Sequence, residues 1–277
     1  MKLREVALLA VSLLTACASF GTFAGQDGEV TFANDPEENM RKGDDAMQGK
    51  NYQEAAAYFE FVKTKYPYLD LAKTAELRLA DADFERDRFI EARDRYQNFV
   101  RLHPTHPRID YAAYRAALTH YKEIPSDFFL LPPASEKDQV EVRNALAAMT
   151  EFTRAHPGSE HLADAKKVID EVKLRLAEHE LYVADFYANP NRKRWNAVVN
   201  RLNVVAKNYS GIGLDERVAF GLYEAHLQLN EPAKAREALE NYAKAFPEAP
   251  GAKKALKLAA GLPTAAPEPT PAPDAGT

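Results

Sequence analysis

The sequence predicts an all-α fold, an α-solenoid of five helical hairpins, and three observations predict it. A ladder of side chains is written five times, a helix-breaking residue follows most copies, and the breaks recur at long, related intervals. Small, large apolar, large apolar, and aromatic or His follow at steps of four, three and four. The copies are Ala55-Phe59-Val62-Tyr66, Ala92-Tyr96-Phe99-His103, Ala145-Met149-Phe152-His156, Val198-Leu202-Val205-Tyr209 and Ala235-Leu239-Tyr242-Phe246. Such steps put all four rungs on one helical face. Pro67, Pro104, Pro157 and Pro247 follow four of the copies, and Pro has no N–H with which to continue a helix. Ser210 follows the remaining copy, which predicts a less sharply fixed exit there.

Each ladder reads as the second helix of a hairpin that cannot bury its face alone, so hairpins must stack, as tetratricopeptide-type repeats do. The stops lie 37, 53, 53 and 37 residues apart, against about 34 in that repeat type. The expected repeats are about 36–70, 71–107, 108–160, 161–213 and 214–250, within a repeat domain of 36–260. In the first, Asn51 followed by Glu54 has the spacing of a capping box. Gly43, Ala46 and Ala55 leave room for close helix approach. The two long intervals have separate causes. Pro125, Pro132 and Pro133 demand an irregular insertion over 125–138, where Phe128-Phe129-Leu130-Leu131 reads as a plug over a neighbouring repeat or an exposed contact patch. In the fourth repeat the first helix runs long, from 162 to 187, roughly 39 Å at 1.5 Å per residue.

The ends carry separate signals. Lys2 and Arg4 precede an apolar run over 6–14, too short to span a bilayer and suited to a secretory signal over 1–16. Leu14-Thr15-Ala16-Cys17 resembles the lipobox of bacterial lipoproteins, which makes Cys17, the single Cys, the expected lipid-attachment residue. Several acyl chains on Cys17 would hold the chain on a membrane. Residues 17–35 read as a lipidated tether. Residues 261–277, with Pro263, Pro267, Pro269, Pro271 and Pro273, read as a disordered Pro/Ala-rich tail. Formal charge is -5 and becomes -6 without the signal, so nucleic acid is not an expected partner.

No catalytic constellation is found. There is no Gly-x-Ser-x-Gly elbow and no phosphate-binding loop, and Gly211-Ile-Gly213 lacks the third Gly of a dinucleotide fingerprint. His103 with His106 and His156 with His161 are the closest His pairs, yet His103 and His156 occupy the last ladder rung, so both read as packing residues. No catalytic, cofactor or metal site is therefore expected. Asn191-Arg-Lys-Arg-Trp195 is locally basic, and two readings stay open: a solvated turn with a core Trp, or a partner-facing surface.

The run Phe99-Val-Arg-Leu-His-Pro-Thr-His-Pro-Arg-Ile-Asp-Tyr111 resembles the link between the second and third repeats of the BamD family of helical-repeat lipoproteins. Phe128-Phe129, Val183-Ala184-Asp185-Phe186-Tyr187 and Trp195-Asn-Ala-Val-Val-Asn-Arg201 agree with the same family. The resemblance implies a non-enzymatic, lipid-anchored scaffold at the periplasmic face of the outer membrane, serving β-barrel assembly. Implied partners are the periplasmic domain of BamA, other Bam lipoproteins, unfolded β-barrel substrates and outer-membrane lipid through Cys17. It places Arg201 against an acidic residue of BamA, with Trp195 and Asn200 beside it, and it gives the concave repeats around 59–110 to the substrate's targeting strand. One departure concerns the turn before Trp195, which is about two residues longer than the family pattern, so Arg192, Lys193 and Arg194 take no role from the resemblance. A periplasmic repeat scaffold of the Tol or cell-division system is the alternative, although those usually carry an N-terminal coiled coil that no heptad run before residue 36 supports.

Overall fold

The computed structural model describes residues 30–125 and 134–264, and among these all regular structure is helical. In chain order come α1 (Pro36–Gln48), α2 (Tyr52–Lys65), α3 (Asp70–Glu85), α4 (Phe89–Leu102), α5 (Ile109–Lys122), α6 (Val140–Ala155), α7 (Leu162–Ala188), α8 (Trp195–Asn208), α9 (Asp215–Gln228), α10 (Pro232–Ala245) and α11 (Ala252–Ala260). One 3₁₀ turn, Ala134–Glu136, precedes α6. Two compact units divide the chain, residues 1–75 and 76–277. Cys17 and the signal segment, the apolar run 128–131 and the Pro-rich residues from 265 lie outside the described residues.

In the first unit α1 starts because Asp35 accepts the Glu38 amide, Pro36 opens the helix, and Glu37 and Glu38 sit in its first turn. Asn39 is fully buried and ties down the preceding chain, accepting from the Ala33 amide and donating to the Ala33 and Asp35 carbonyls. Phe32 stacks on Phe61 with ring centroids 4.3 Å apart, and the Tyr66 hydroxyl donates to the Asn34 carbonyl. The last residues before α1 are thus packed, although the sequence reads as tether up to residue 35. α1 lies on α2, and the approach depends on Gly43, where a Cβ would stand 2.5 Å from Cε1 of Phe59. Asn51 forms no capping box. Its side chain makes no bond to a helix amide and instead donates to Glu54 Oε2 at 2.6 Å.

In the second unit each helix from α4 onward packs on its successor in sequence, which is the stacking that the ladders demand. Four apolar clusters follow one another. Leu77, Phe84, Tyr96 and Phe99 join α3, α4 and α5; Val142, Met149, Phe152 and Val172 join α5, α6 and α7; Leu181, Leu202, Val205 and Val218 join α7, α8 and α9; and Leu239, Tyr242, Ala252 and Ala255 join α9, α10 and α11. The first three rungs of every ladder are buried. Each large one contributes roughly 1.5–3 kcal/mol. α7 serves two clusters, its residues 165–176 facing one and 177–184 the next. Its 27 residues let one continuous helix reach both.

The fourth rung departs from expectation. Tyr66, His103, His156, Tyr209 and Phe246 stand one residue beyond their helices as C-caps, half-buried, with φ near -130°. Each N–H still reaches the carbonyl four residues back. Tyr209 does this without a following Pro, so the exit of α8 is as well fixed as the others. Asp215 supplies the fixing contacts, accepting from the Ser210 hydroxyl at 2.8 Å and from the Gly211 amide at 3.0 Å.

Candidate docking surface

The long α7 and the turn after it set out the surface where a partner was expected. Trp195 opens α8 and is half-buried, packed with Tyr187, Ala188 and Val199 against the α7–α9 cluster. It positions the surface from beneath. Asn200 is exposed. Arg201, two turns into α8, donates from Nη1 to Glu180 Oε2 on α7 at 3.0 Å, with its own side chain 42% exposed and that of Glu180 17%. The charge of Arg201 is thereby part-balanced within the chain while one side of the guanidinium still meets solvent. Burial pushes the nearby Tyr209 hydroxyl above its usual range, the Glu180 charge adds to this, and Arg143 opposes it.

At the end of the hairpin, Arg192 lays its guanidinium 3.7 Å over the ring of Phe186, which is 45% exposed. Asp185 beside it accepts from Arg217 of α9 at 2.7 Å. Among the described residues, Arg192, Lys193 and Arg194 make no ion pair. Lys193 holds a left-handed φ of 48°.

The run 99–111 proves to be a joint. Tyr111 on α5 and Tyr96 on α4 both donate to Asp81 Oδ1 of α3, at 2.8 and 2.6 Å, and Arg78 donates to Oδ2 at 3.1 Å. Arg115 donates to the Tyr96 oxygen and lies 3.7 Å over Phe84. Burial first, then the Asp81 charge, holds both tyrosine hydroxyls far above their ordinary range. Asp110 reaches forward to accept from Ser159 at 2.7 Å. Burial raises the Asp110 carboxyl, but Ser159, the Tyr111 amide and His161 outweigh it and leave it below the usual value. Sequence reasoning missed Asp81 and Asp83, both nearly fully buried. Their signal is present as Ala80-Asp-Ala-Asp83, two acids set among the small residues of an inward face.

The histidines pack. His103 lies against Phe99 and 3.0 Å from Glu76, His106 meets Phe99 edge-on, His156 stacks on Phe152, and His161 stacks on Tyr114 at 4.8 Å. Among the described residues one trio has metal-like spacing, His120, Glu123 and Glu141. The Arg93 guanidinium already occupies it, bonded to Glu123 and 3.1 Å from His120 Nδ1. No described helix is long and apolar enough to cross a membrane.

Stacked hairpins that bury their polar groups in joints and expose cations at a hairpin end define a helical-repeat scaffold, a class that works by holding other proteins. Residues 33–242 match the family model described as YfiO, outer membrane lipoprotein, and the chain belongs to that family. Its relatives include the outer membrane protein assembly factor BamD of Neisseria gonorrhoeae, 29% identical over 248 residues that make up 88% of this chain and 92% of the relative. The BamD of Vibrio cholerae is 28% identical over 205 residues, 73% of this chain and 81% of the relative. That of Caulobacter vibrioides is 27% identical over 202 residues, 72% and 63%. Among solved structures, the TPR2AB-domain:pHSP90-complex of yeast Sti1 aligns over 81% of this chain and 82% of its own at 13% identity, with a TM-score of 0.43.

Proposed function

We propose that this protein is a lipid-anchored scaffold of the β-barrel assembly machine, which binds without chemistry and assists insertion of β-barrel proteins into the outer membrane. The observation that carries this is the family match over 33–242, together with relatives named as outer membrane protein assembly factors along most of both chains. In this reading Cys17 bears the lipid. The α7–α8 hairpin and the helices after it dock on the periplasmic part of BamA, and the repeats before them engage the targeting strands of unfolded substrates.

Arg201 is the docking residue of this reading. Its exposed edge is open to a carboxylate of the partner, and a guanidinium grips a carboxylate with two parallel charge-assisted bonds. Glu180 holds the side chain in one orientation meanwhile, so less rotamer freedom is lost on docking. The test is co-purification of BamA with an Arg201→Glu chain from detergent-solubilised outer membrane, with circular dichroism as the control. Recovery should fall while helical content stays; recovery at the level of the unaltered chain removes Arg201 from the interface. Separately, Cys17→Ser should release the protein from membranes or leave its signal uncleaved.

A further inference from the structure

Four hairpins of the chain share one turn design. A residue with left-handed φ, Lys50, Asp87, Lys193 or Asn230, precedes the cap of the second helix, which is Asn51, Arg88, Arg194 or Glu231. In three of them the cap side chain is bonded to the residue three further on: Asn51 to Glu54 at 2.6 Å, Arg88 to Glu91 at 2.9 Å, Glu231 to Lys234 at 2.7 Å. In the fourth that position is Ala197, and Arg194 makes no ion pair with any described residue. Its turn is also longer. The cap N–H reaches back to Ala46, Asp83 and His226 in the short turns 49–51, 86–88 and 229–231, but to Tyr187 across 189–194. The added length carries Arg192 and Lys193, neither of which meets a carboxylate.

We propose that the turn 189–194 anchors an acidic face of the protein partner, with Arg192, Lys193 and Arg194 as the contacting cations. This rests on the reading that the α7–α8 hairpin is the docking surface. Three consecutive like charges repel one another, and the chain, which carries an excess of acids overall, supplies none here. The uncompensated charge is complementary to an acidic surface. Arg201 is about seven residues, roughly 10 Å, further along α8, so one partner face can span both. Phe186, half-exposed beneath Arg192, adds the aromatic and Arg pairing in which protein interfaces are enriched. Arg192 covers one face of that ring and leaves it 45% exposed, an arginine–aromatic pair of the kind enriched at protein interfaces rather than a lone apolar wedge. A protein partner is favoured over lipid phosphate for that reason.

The test uses the full lipidated chain in three forms: Arg192→Glu with Lys193→Glu and Arg194→Glu, Ala197→Glu alone, and Arg201→Glu. All these positions but Ala197 and Arg201 are exposed. The triple form should recover about tenfold less BamA, since charge reversal sets acid against acid. Ala197→Glu, which restores the cap pairing of the other hairpins, should give a smaller loss, with helical content unchanged in both. BamA recovery by the triple form equal to that of the unaltered chain, with Arg201→Glu defective, overturns the proposal and leaves the docking reading in place. Normal recovery by all three forms overturns both. Flotation of the Cys17→Ser chain with phosphatidylglycerol vesicles, abolished by the triple substitution, would assign the turn to lipid and overturn the proposal as well.

Discussion

The α3–α4 and α7–α8 hairpins are built on ladders of identical spacing, Ala92-Tyr96-Phe99-His103 and Val198-Leu202-Val205-Tyr209, and both end in basic turns. They handle that charge in opposite ways. At the α3–α4 turn Arg86 and Arg88 face Asp83, Arg95 donates to the same carboxylate at 2.7 Å, and Arg88 also meets Glu91. At the α7–α8 turn Tyr187 provides the carbonyl that Asp83 provides in the first hairpin, and Ala197 stands where Glu91 does, so Arg192, Lys193 and Arg194 face solvent. Basic residues in a turn are therefore not informative by themselves. Acids placed one turn before and one turn after decide whether the charge is paired within the fold or left exposed to solvent.

The comparison can be broken or sharpened by substitution. The largest effect should come from Asp81→Ala, which leaves the buried Tyr96 hydroxyl and the half-buried Tyr111 hydroxyl without their acceptor; a loss of about 3 kcal/mol is expected in urea unfolding. Asp83→Ala should cost less, about 1–2 kcal/mol, because the arginines it releases can reach water. No such loss should follow the Arg192, Lys193 and Arg194 reversals. An equal loss there would show that both turns are structural.

A pH dependence separates the hairpins next. Tyr96 has a raised hydroxyl pKa in the fold, and Leu202 takes its rung in the other hairpin. With the folded pKa above the unfolded value of about 10, the contribution is complete below pH 10 and lost as pH rises past it. Tyr96→Phe should cost about 1 kcal/mol at neutral pH and flatten the alkaline limb of the stability curve. An unchanged limb would exclude Tyr96 as its source. The smallest effect concerns Glu180→Ala, which frees Arg201 at a cost of about 0.5 kcal/mol in stability. BamA recovery should fall, because Glu180 orients the guanidinium for docking; a rise would show that the internal pair competes with the partner.

Much of the fold was legible because burial on a helix has a period. The rungs Ala55, Phe59, Val62 and their counterparts could be assigned inward without coordinates, as could the length of α7 and the close approach at Gly43. The cap at Asn51 was misread because spacing alone does not say whether a side chain turns toward an amide or toward Glu54. Ser210 was misread for a similar reason: the residue that fixes the exit, Asp215, belongs to the next helix. The run 99–111 was recognised as a signature, yet its physical content lay in contacts far away in sequence, Tyr111 with Asp81 of α3 and Asp110 with Ser159 ahead of α7.

By itself the sequence determined the helical hairpins, their order and their inward faces, since these depend on side-chain spacing of a few residues and on where Pro interrupts it. Only the tertiary structure decided which charges are neutralised. Ion pairs such as Arg201 with Glu180 and Arg95 with Asp83 form between helices, and whether a cation finds a carboxylate depends on distances that no local spacing records.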